Sequence, residues 1–232
     1  MLPTLAGEGL GHLLGAPPLS EATGSSPRCR KKVSLHTYQG SPLEVSEQTD
    51  ALQTRLGRIG EKFAMRGIDL EFGPLQCDLP RMAQTLYARE DESNGPLGIQ
   101  GPNLFDFARD DSFASANNPA IIITERLLAW SSSEQRYLRK LGITPFPGAN
   151  VAAVELSGTE SDAVRIENEL YHIFGLTDEE MGATSPSAQH FVTDNMWDFV
   201  NLLCKEGADN ELKNALVQAR ERARQIGHKG VS

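Results

Sequence analysis

The chain of 232 residues has few cysteines and no long apolar run. Its three cysteines, Cys29, Cys77 and Cys204, form no Cys-x-x-Cys pair, so we expect neither a disulfide framework nor a cysteine-rich zinc site. Unpaired cysteines are typical of a reducing compartment, and we therefore predict a cytoplasmic protein. Because no stretch reaches about 18 consecutive apolar residues, we predict no contact with a membrane.

Basic residues are also in deficit. Lys and Arg total 22 against 31 for Asp and Glu, which gives a formal net charge of −9 at pH 7. Nucleic acids attract basic surfaces, so this balance makes a nucleic-acid partner unlikely from the sequence. Apolar residues make up 39% of the chain, which is enough for a soluble globular protein with a packed core.

The N-terminal segment differs from the rest in composition. Residues 1–32 are rich in Gly and Pro and lack the basic start and apolar block of a secretory signal. We predict a flexible tail that ends in a basic cluster, Arg28 to Lys32. Residues 33–227 are predicted to form a single α/β domain, and residues 228–232 a short second tail.

Apolar periodicity along the domain switches between a β type and a helical type. The predicted strands are 33–38, 68–72, 120–124 and 151–156. Predicted helices cover the stripe Leu52 to Phe63, a segment from Asp78 through Tyr87, a segment from Ser131 through Leu141, and three stripes between Thr159 and Ile226. Alternation of this kind predicts an α/β fold with a small, mostly parallel sheet of about four strands, flanking helices and a helical C-terminal third; an α+β arrangement stays open.

Residues 93–119 differ in composition from the rest of the domain, because Gly and Pro residues separate a few phenylalanines. Structureless loops of this length are uncommon within a compact domain and are often functional. We therefore interpret the segment as a long loop or lid over a ligand. This feature favours an enzyme slightly over a binding protein.

A metal site is one hypothesis for the third helical segment. Glu169 and His172 lie three residues apart, so on a helix they face the same side and can share one divalent metal ion, with His190 as a further ligand. The same residues match the zinc-protease pattern His-Glu-x-x-His except that Asn168 replaces the first histidine. Because that change removes one of two helical ligands, the sequence alone does not favour a zinc protease.

The ends of the predicted strands give a second set of candidates. In parallel sheets, ligands bind beyond the carboxyl ends of the strands. Glu125 and Arg126 follow the third strand and offer a proton-transfer carboxylate beside a guanidinium, while Ser157 follows the fourth strand. We predict these three as catalytic residues.

Two functions therefore remain open. The first is an enzyme that acts on a small polar metabolite at the strand carboxyl ends, with a divalent metal as an optional cofactor and its reaction unassigned. The second is a regulatory or adaptor protein without catalysis. It would bind a basic protein partner through the acidic segment Glu155 to Met181, which holds eight acids and a single base, Arg165.

Overall fold

Two β-sheets and four helices make up the part of the chain that the structure, a computed structural model, describes. The described residues are 29–39, 41, 48–79, 87–89, 97–101, 105, 113–159, 161–182, 192–206 and 209–229. Helices and strands alternate over most of these ranges, so the predicted α/β class is confirmed.

The first sheet has five strands. They are β1 (Cys29–Tyr38), β2 (Ile68–Leu79), β5 (Ala120–Thr124), β8 (Gly142–Ile143) and β9 (Val151–Glu155). Their order across the sheet is β2-β1-β5-β9-β8, with the first four parallel and β8 antiparallel at one edge. Every residue of β5 and β9 is buried, as in a parallel sheet covered on both faces. All four predicted strands are therefore confirmed.

The second sheet was not predicted from the sequence. It contains β3 (Tyr87–Arg89), β4 (Leu97–Gln100), β6 (Leu127–Ser131) and β7 (Arg136–Lys140), in the order β3-β4-β6-β7. Strand β4 lies inside the segment predicted as a long loop or lid. Most of the remaining residues of that segment lie outside the described residues.

The helix predicted from Ser131 to Leu141 is wrong, because the segment forms the β6–β7 hairpin. The Glu134 N–H does donate to the Ser131 hydroxyl, at 3.3 Å, which is the hydrogen bond expected of a helix cap. Here that bond closes a turn, and Gln135 completes the turn with a φ of 53°. Leu138 then pairs with Ala129 across the hairpin.

The helix predicted from Asp78 through Tyr87 is also wrong at both of its described ends. Strand β2 extends to Leu79 instead of closing at Gly73 and Pro74, and Tyr87 begins a strand. The β1–β2 register shifts next to Gly73 and Pro74. Such a bulge accommodates a proline, which has no N–H to offer the neighbouring strand.

Helical stripes were predicted more successfully. The helices are α1 (Gln48–Ala64), α2 (Ser161–Ile173), α3 (Asp194–Glu206) and α4 (Asn210–Lys229). Helix α1 is followed by Gly67, which has a φ of +84°. Helix α4 begins behind Asp209, whose carboxylate caps the helix by accepting the N–H groups of Glu211 at 2.8 Å and Leu212 at 3.1 Å.

Apolar side chains are buried on both faces of the five-stranded sheet. On one face, Val33, Leu35 and Ile123 pack with apolar residues of α1, α2 and α3. On the other face, Ile122 packs with Ile99 and residues of the second sheet. The first sheet is therefore the central layer between helices and the second sheet.

A disulfide joins Cys29 in β1 to Cys204 in α3, while Cys77 is not part of a disulfide. The expectation that the cysteines stay unpaired is therefore wrong: residues 175 positions apart in sequence meet because α3 packs on β1. Since disulfides are rare in the cytosol, the cysteine argument for a cytoplasmic location loses its basis, and that location stays a prediction. Strand β1 also begins at Cys29, so Arg30 to Lys32 belong to the sheet rather than to a tail.

None of the helices in the described ranges is both long enough and apolar enough to cross a lipid bilayer.

Candidate active-site cleft

A cleft of about 550 Å³ lies between the edge strand β8, the segment that follows it, and helix α2. Strand β8 contributes Gly142 and Ile143, and residues 144–147 continue this wall. From α2, the polar side chains of Asn168, Glu169 and His172 line the opposite side. The spacing of these α2 residues places them on one helical face, which is how a single helix supplies three polar groups to one cavity.

Glu169 is held against the edge strand. Its side chain is only 3% exposed, and its Oε2 accepts a hydrogen bond of 2.6 Å from the Thr144 hydroxyl. Gly142 provides the space, because a Cβ at that position would lie 2.8 Å from the carboxyl carbon of Glu169. Burial raises the pKa of Glu169 above its usual range, although His172 and the Thr144 hydroxyl act in the opposite direction.

His172 has both ring nitrogens occupied. Nδ1 lies 2.8 Å from the carbonyl oxygen of Leu176, so a hydrogen on Nδ1 is donated to the backbone. Nε2 lies 3.2 Å from Oδ1 of Asp178. Burial lowers the pKa of His172, but the hydrogen bond to Asp178 and the charge of Glu169 outweigh it, so the pKa lies above its ordinary value.

Asn168 completes the group. Its amide nitrogen lies 3.3 Å from Nε2 of His172 and 3.4 Å from Oε1 of Glu169. Its amide oxygen is buried and has no hydrogen-bond partner among the described residues. An unsatisfied buried oxygen is uncommon in folded proteins, so this oxygen is a candidate ligand.

The structure brings Glu169 and His172 to the same cleft, and their role as metal ligands stays a prediction. His190 lies outside the described residues. Within the described ranges, no group of three or more His, Cys, Asp or Glu side chains is close enough to hold a metal ion. The polar group at the cleft consists of Glu169, His172, Asp178 and Asn168, and Asn168 is not one of these four residue types.

The three predicted catalytic residues lie at the carboxyl ends of β5 and β9, and their catalytic role remains a prediction. Glu125 accepts a hydrogen bond from the Tyr38 hydroxyl. Arg126 precedes β6 and packs beside Gly98 in β4. The Ser157 hydroxyl donates to Asp162 at 2.9 Å and accepts from Arg165 at 3.2 Å, and Arg165 lines the cleft.

Most acids of the segment from Glu155 to Met181 have partners within the chain. Glu155 is fully buried and pairs with Arg139, and Asp162 contacts Arg55 and Arg165. Further pairs are Glu167 with Lys62, Asp178 with His172, and Glu180 with Arg220. These carboxylates are therefore engaged in the fold, which leaves less charge for the predicted basic partner.

Two residues at the cleft were missed by the sequence reasoning, Thr144 and Asp178. Thr144 carries no pattern of its own, since its contact with α2 depends on the position of the edge strand. Asp178 could have been found, because the spacing Glu169-x-x-His172-x-x-Gly175-x-x-Asp178 continues the metalloprotease pattern beyond its first five positions.

Comparison with known proteins gives a likeness of fold. No family model matches the sequence. No curated protein matches it either. Among solved structures, the chain is similar to archaemetzincin from Methanopyrus kandleri, with a TM-score of 0.50 and 15% sequence identity. The match covers 78% of this chain and 99% of that one.

At this identity the likeness concerns the fold alone. It agrees with an α/β architecture.

Proposed function

We propose that the protein is a metal-dependent hydrolase whose active site is the cleft between β8 and α2. The observation that carries this proposal is the convergence of Asn168, His172 and Asp178 beside the buried carboxyl of Glu169. Metzincin proteases carry the pattern His-Glu-x-x-His-x-x-Gly-x-x-His on a helix and the turn after it. This chain matches it at Glu169, His172 and Gly175, with Asn168 and Asp178 in place of the first and third histidines.

Glycine is required where the helix ends. Gly175 has a φ of +81°, and this left-handed residue turns the chain back so that Asp178 reaches His172. The fold likeness to archaemetzincin supports the same assignment. Asn168 and Asp178 stand where the metzincin pattern has histidines, so this chain offers one nitrogen ligand instead of three. The missing first histidine is the reason that the sequence alone does not favour a zinc protease.

The residues present fit a divalent ion with mixed nitrogen and oxygen ligands. His172 would supply Nε2, Asp178 a carboxylate oxygen, and Asn168 its amide oxygen, once the amide is turned so that the oxygen rather than the nitrogen faces Nε2. The hydrogen bond from Nδ1 to the carbonyl oxygen of Leu176 is the kind of contact that fixes the ring of a metal-binding histidine. A bound ion would supply Lewis acidity and lower the pKa of a bound water.

Glu169 is the proposed proton-transfer group. Its carboxyl is fixed by Thr144 and shielded from solvent, and a raised pKa brings a carboxylate closer to the range in which general bases work near neutral pH. In zinc proteases the glutamate of this pattern acts as the general base. Glu169 would accept a proton from water and later deliver it to the leaving group.

The substrate class we propose is an extended peptide. Strand β8 is the last strand in the order of the first sheet, and residues 141–144 line the cleft. An unpaired strand edge binds extended peptides by main-chain hydrogen bonds. The alternative is an enzyme that acts on a small polar metabolite at the strand carboxyl ends, and it stays a prediction. The described contacts of Glu125 and Ser157 do not favour it.

The test combines metal binding with cleavage. The chain is stripped of metal, loaded with Zn²⁺ or Mn²⁺, assayed for bound metal by mass spectrometry, and incubated with a peptide library. We expect Glu169→Gln to keep its metal and lose cleavage, whereas His172→Gln loses both. Glu71→Gln, an exposed acid on β2, is the control that changes neither. Full cleavage by Glu169→Gln, or undiminished metal in His172→Gln, would overturn the proposal.

A further inference from the structure

Two lysines are buried at the amino-terminal end of the five-stranded sheet. Lys31 on β1 is 3% exposed and Lys213 on α4 is 4% exposed. Full burial is rare for lysine and normally requires a carboxylate partner. Among the described residues, however, the hydrogen-bond acceptors of both amines are neutral carboxamides: Lys31 donates to Asn117 at 2.9 Å and Lys213 to Asn150 at 2.6 Å.

The positions of the carboxamides follow from the sheet. Asn117 precedes β5, and its carbonyl accepts the N–H of Lys32, next to Lys31. Asn150 precedes β9, and its carbonyl accepts the N–H of Ala120. Adjacent parallel strands therefore bring both asparagines to one end of the sheet, close to the first turn of α4.

Among the residues that the structure describes, no carboxylate pairs with either amine. On β1, the neighbours Arg30 and Lys32 are basic and exposed. On α4, the carboxylate of Asp209 is exposed and already accepts the N–H groups of Glu211 and Leu212. Burial and the nearby charge of Lys31 lower the pKa of Lys213 to about 7, and burial lowers the pKa of Lys31. Both shifts are those of buried amines whose described hydrogen-bond acceptors are neutral.

We propose that Lys31 and Lys213, with the carboxamides of Asn117 and Asn150, form a binding site for a small doubly charged oxyanion of the phosphate or sulfate type. Two ammonium groups match two negative charges, and charge-assisted hydrogen bonds from ammonium to oxyanion are stronger than those to the neutral amides. The amide nitrogen of Asn117 provides a further donor, whereas that of Asn150 donates to the side-chain oxygen of Asn210 at 2.6 Å. The site shares no residue with the cleft lining, so it is independent of the proposed hydrolase function.

Equilibrium unfolding in sulfate tests the site, because it reports binding whatever route the anion takes into the fold. Sulfate also stabilises proteins without specific binding, in proportion to its concentration. We expect the full chain to show an additional, saturable rise in its unfolding midpoint at low sulfate concentration. Lys205→Met, which changes an exposed lysine on α3, serves as the matched control and keeps that rise.

Lys213→Met and, separately, Lys31→Met are expected to weaken sulfate binding by roughly tenfold or more and to leave only the proportional effect. Acetate at equal ionic strength should give no saturable rise. Binding of sulfate should also be accompanied by proton uptake, measured by calorimetry in two buffers of different ionisation enthalpy. A saturable response that persists in Lys213→Met, a full chain with only the proportional response, or acetate binding as tightly as sulfate would overturn the proposal.

Discussion

The hydroxyl of Thr144 donates a hydrogen bond of 2.6 Å to Oε2 of Glu169, which joins the segment after the edge strand to the helix that carries the polar group of the cleft. The contact fixes a buried carboxyl on the side of the strand. If Glu169 transfers protons, its orientation depends on this hydroxyl together with the Asn168 amide nitrogen, which lies 3.4 Å from Oε1.

Removal of the Thr144 hydroxyl should therefore impair turnover. A hydrogen bond to a charged group is worth about 1.5–3 kcal/mol. We expect Thr144→Val to lower kcat by roughly tenfold or more with unchanged metal content. Thr144→Ser keeps the hydroxyl and should restore most of the rate. Equal rates for the valine and serine variants would show that the hydrogen bond has no role in orienting Glu169.

Introduction of a methyl group at Gly142 should disturb the same carboxyl. The new Cβ would lie 2.8 Å from the Glu169 carboxyl carbon, so Gly142→Ala should cost about 1–3 kcal/mol of stability in urea unfolding. Gly57→Ala in α1 is the comparison, since nothing lies within 4 Å of its new Cβ. That helical substitution should instead stabilise the protein by about 0.5–1 kcal/mol. Identical effects at the two positions would argue against close packing at Gly142.

The Cys29–Cys204 disulfide should contribute to stability. Removal of a native disulfide typically costs about 2–5 kcal/mol. We expect Cys204→Ser to lower the unfolding midpoint and to abolish the effect of added reductant. Cys77→Ser changes the cysteine outside the disulfide, so this variant should keep the unfolding midpoint and its response to reductant. Mass spectrometry of the alkylated, non-reduced protein should find one reactive thiol, and three would contradict the pairing.

Burial of Lys213 should make stability depend on pH. Its pKa in the folded protein is about 7, below the ordinary 10.5, so the unfolded chain binds more protons between these values. Stability therefore rises as pH increases from about 7 to 10.5, at about 1.4 kcal/mol per unit of pKa shift. Lys213→Met should lack this rise in anion-free buffer. The check is the difference in unfolding free energy between the unmodified protein and Lys213→Met, measured from pH 7 to 10.5. A constant difference would contradict the lowered pKa of Lys213.

Much of the first sheet and most helices could be predicted from the sequence, because an element that buries one face has regularly spaced apolar residues. Residues Ala120 to Thr124 are apolar since β5 is covered on both sides, and Leu52 to Phe63 follow the helical period since α1 covers one face of the sheet. The second sheet could not be predicted in this way. Its strands are short, and the β6–β7 turn uses a Ser131–Glu134 hydrogen bond identical in sequence to a helix cap.

Only some residues of the candidate site could be predicted from the sequence, for a similar reason. Glu169 and His172 are related by helical spacing, which a sequence displays directly. The contact of His172 with Asp178 needs the turn at Gly175, and that of Glu169 with Thr144 needs the edge strand. The disulfide is the extreme case, because its two cysteines are 175 residues apart and meet only through packing of α3 on β1.

Anomalous X-ray diffraction from crystals soaked in Zn²⁺ or Mn²⁺ tests the central claim most directly, because it locates the ion regardless of any assay. We predict one strong peak in the cleft, bonded to Nε2 of His172 and to a carboxylate oxygen of Asp178, with the Asn168 amide turned to offer its oxygen. The same soak of His172→Gln should lose the peak. An ion bound elsewhere, or a cleft without a peak in the unmodified protein at saturating metal, would contradict the assignment of this cleft as a metal-dependent active site.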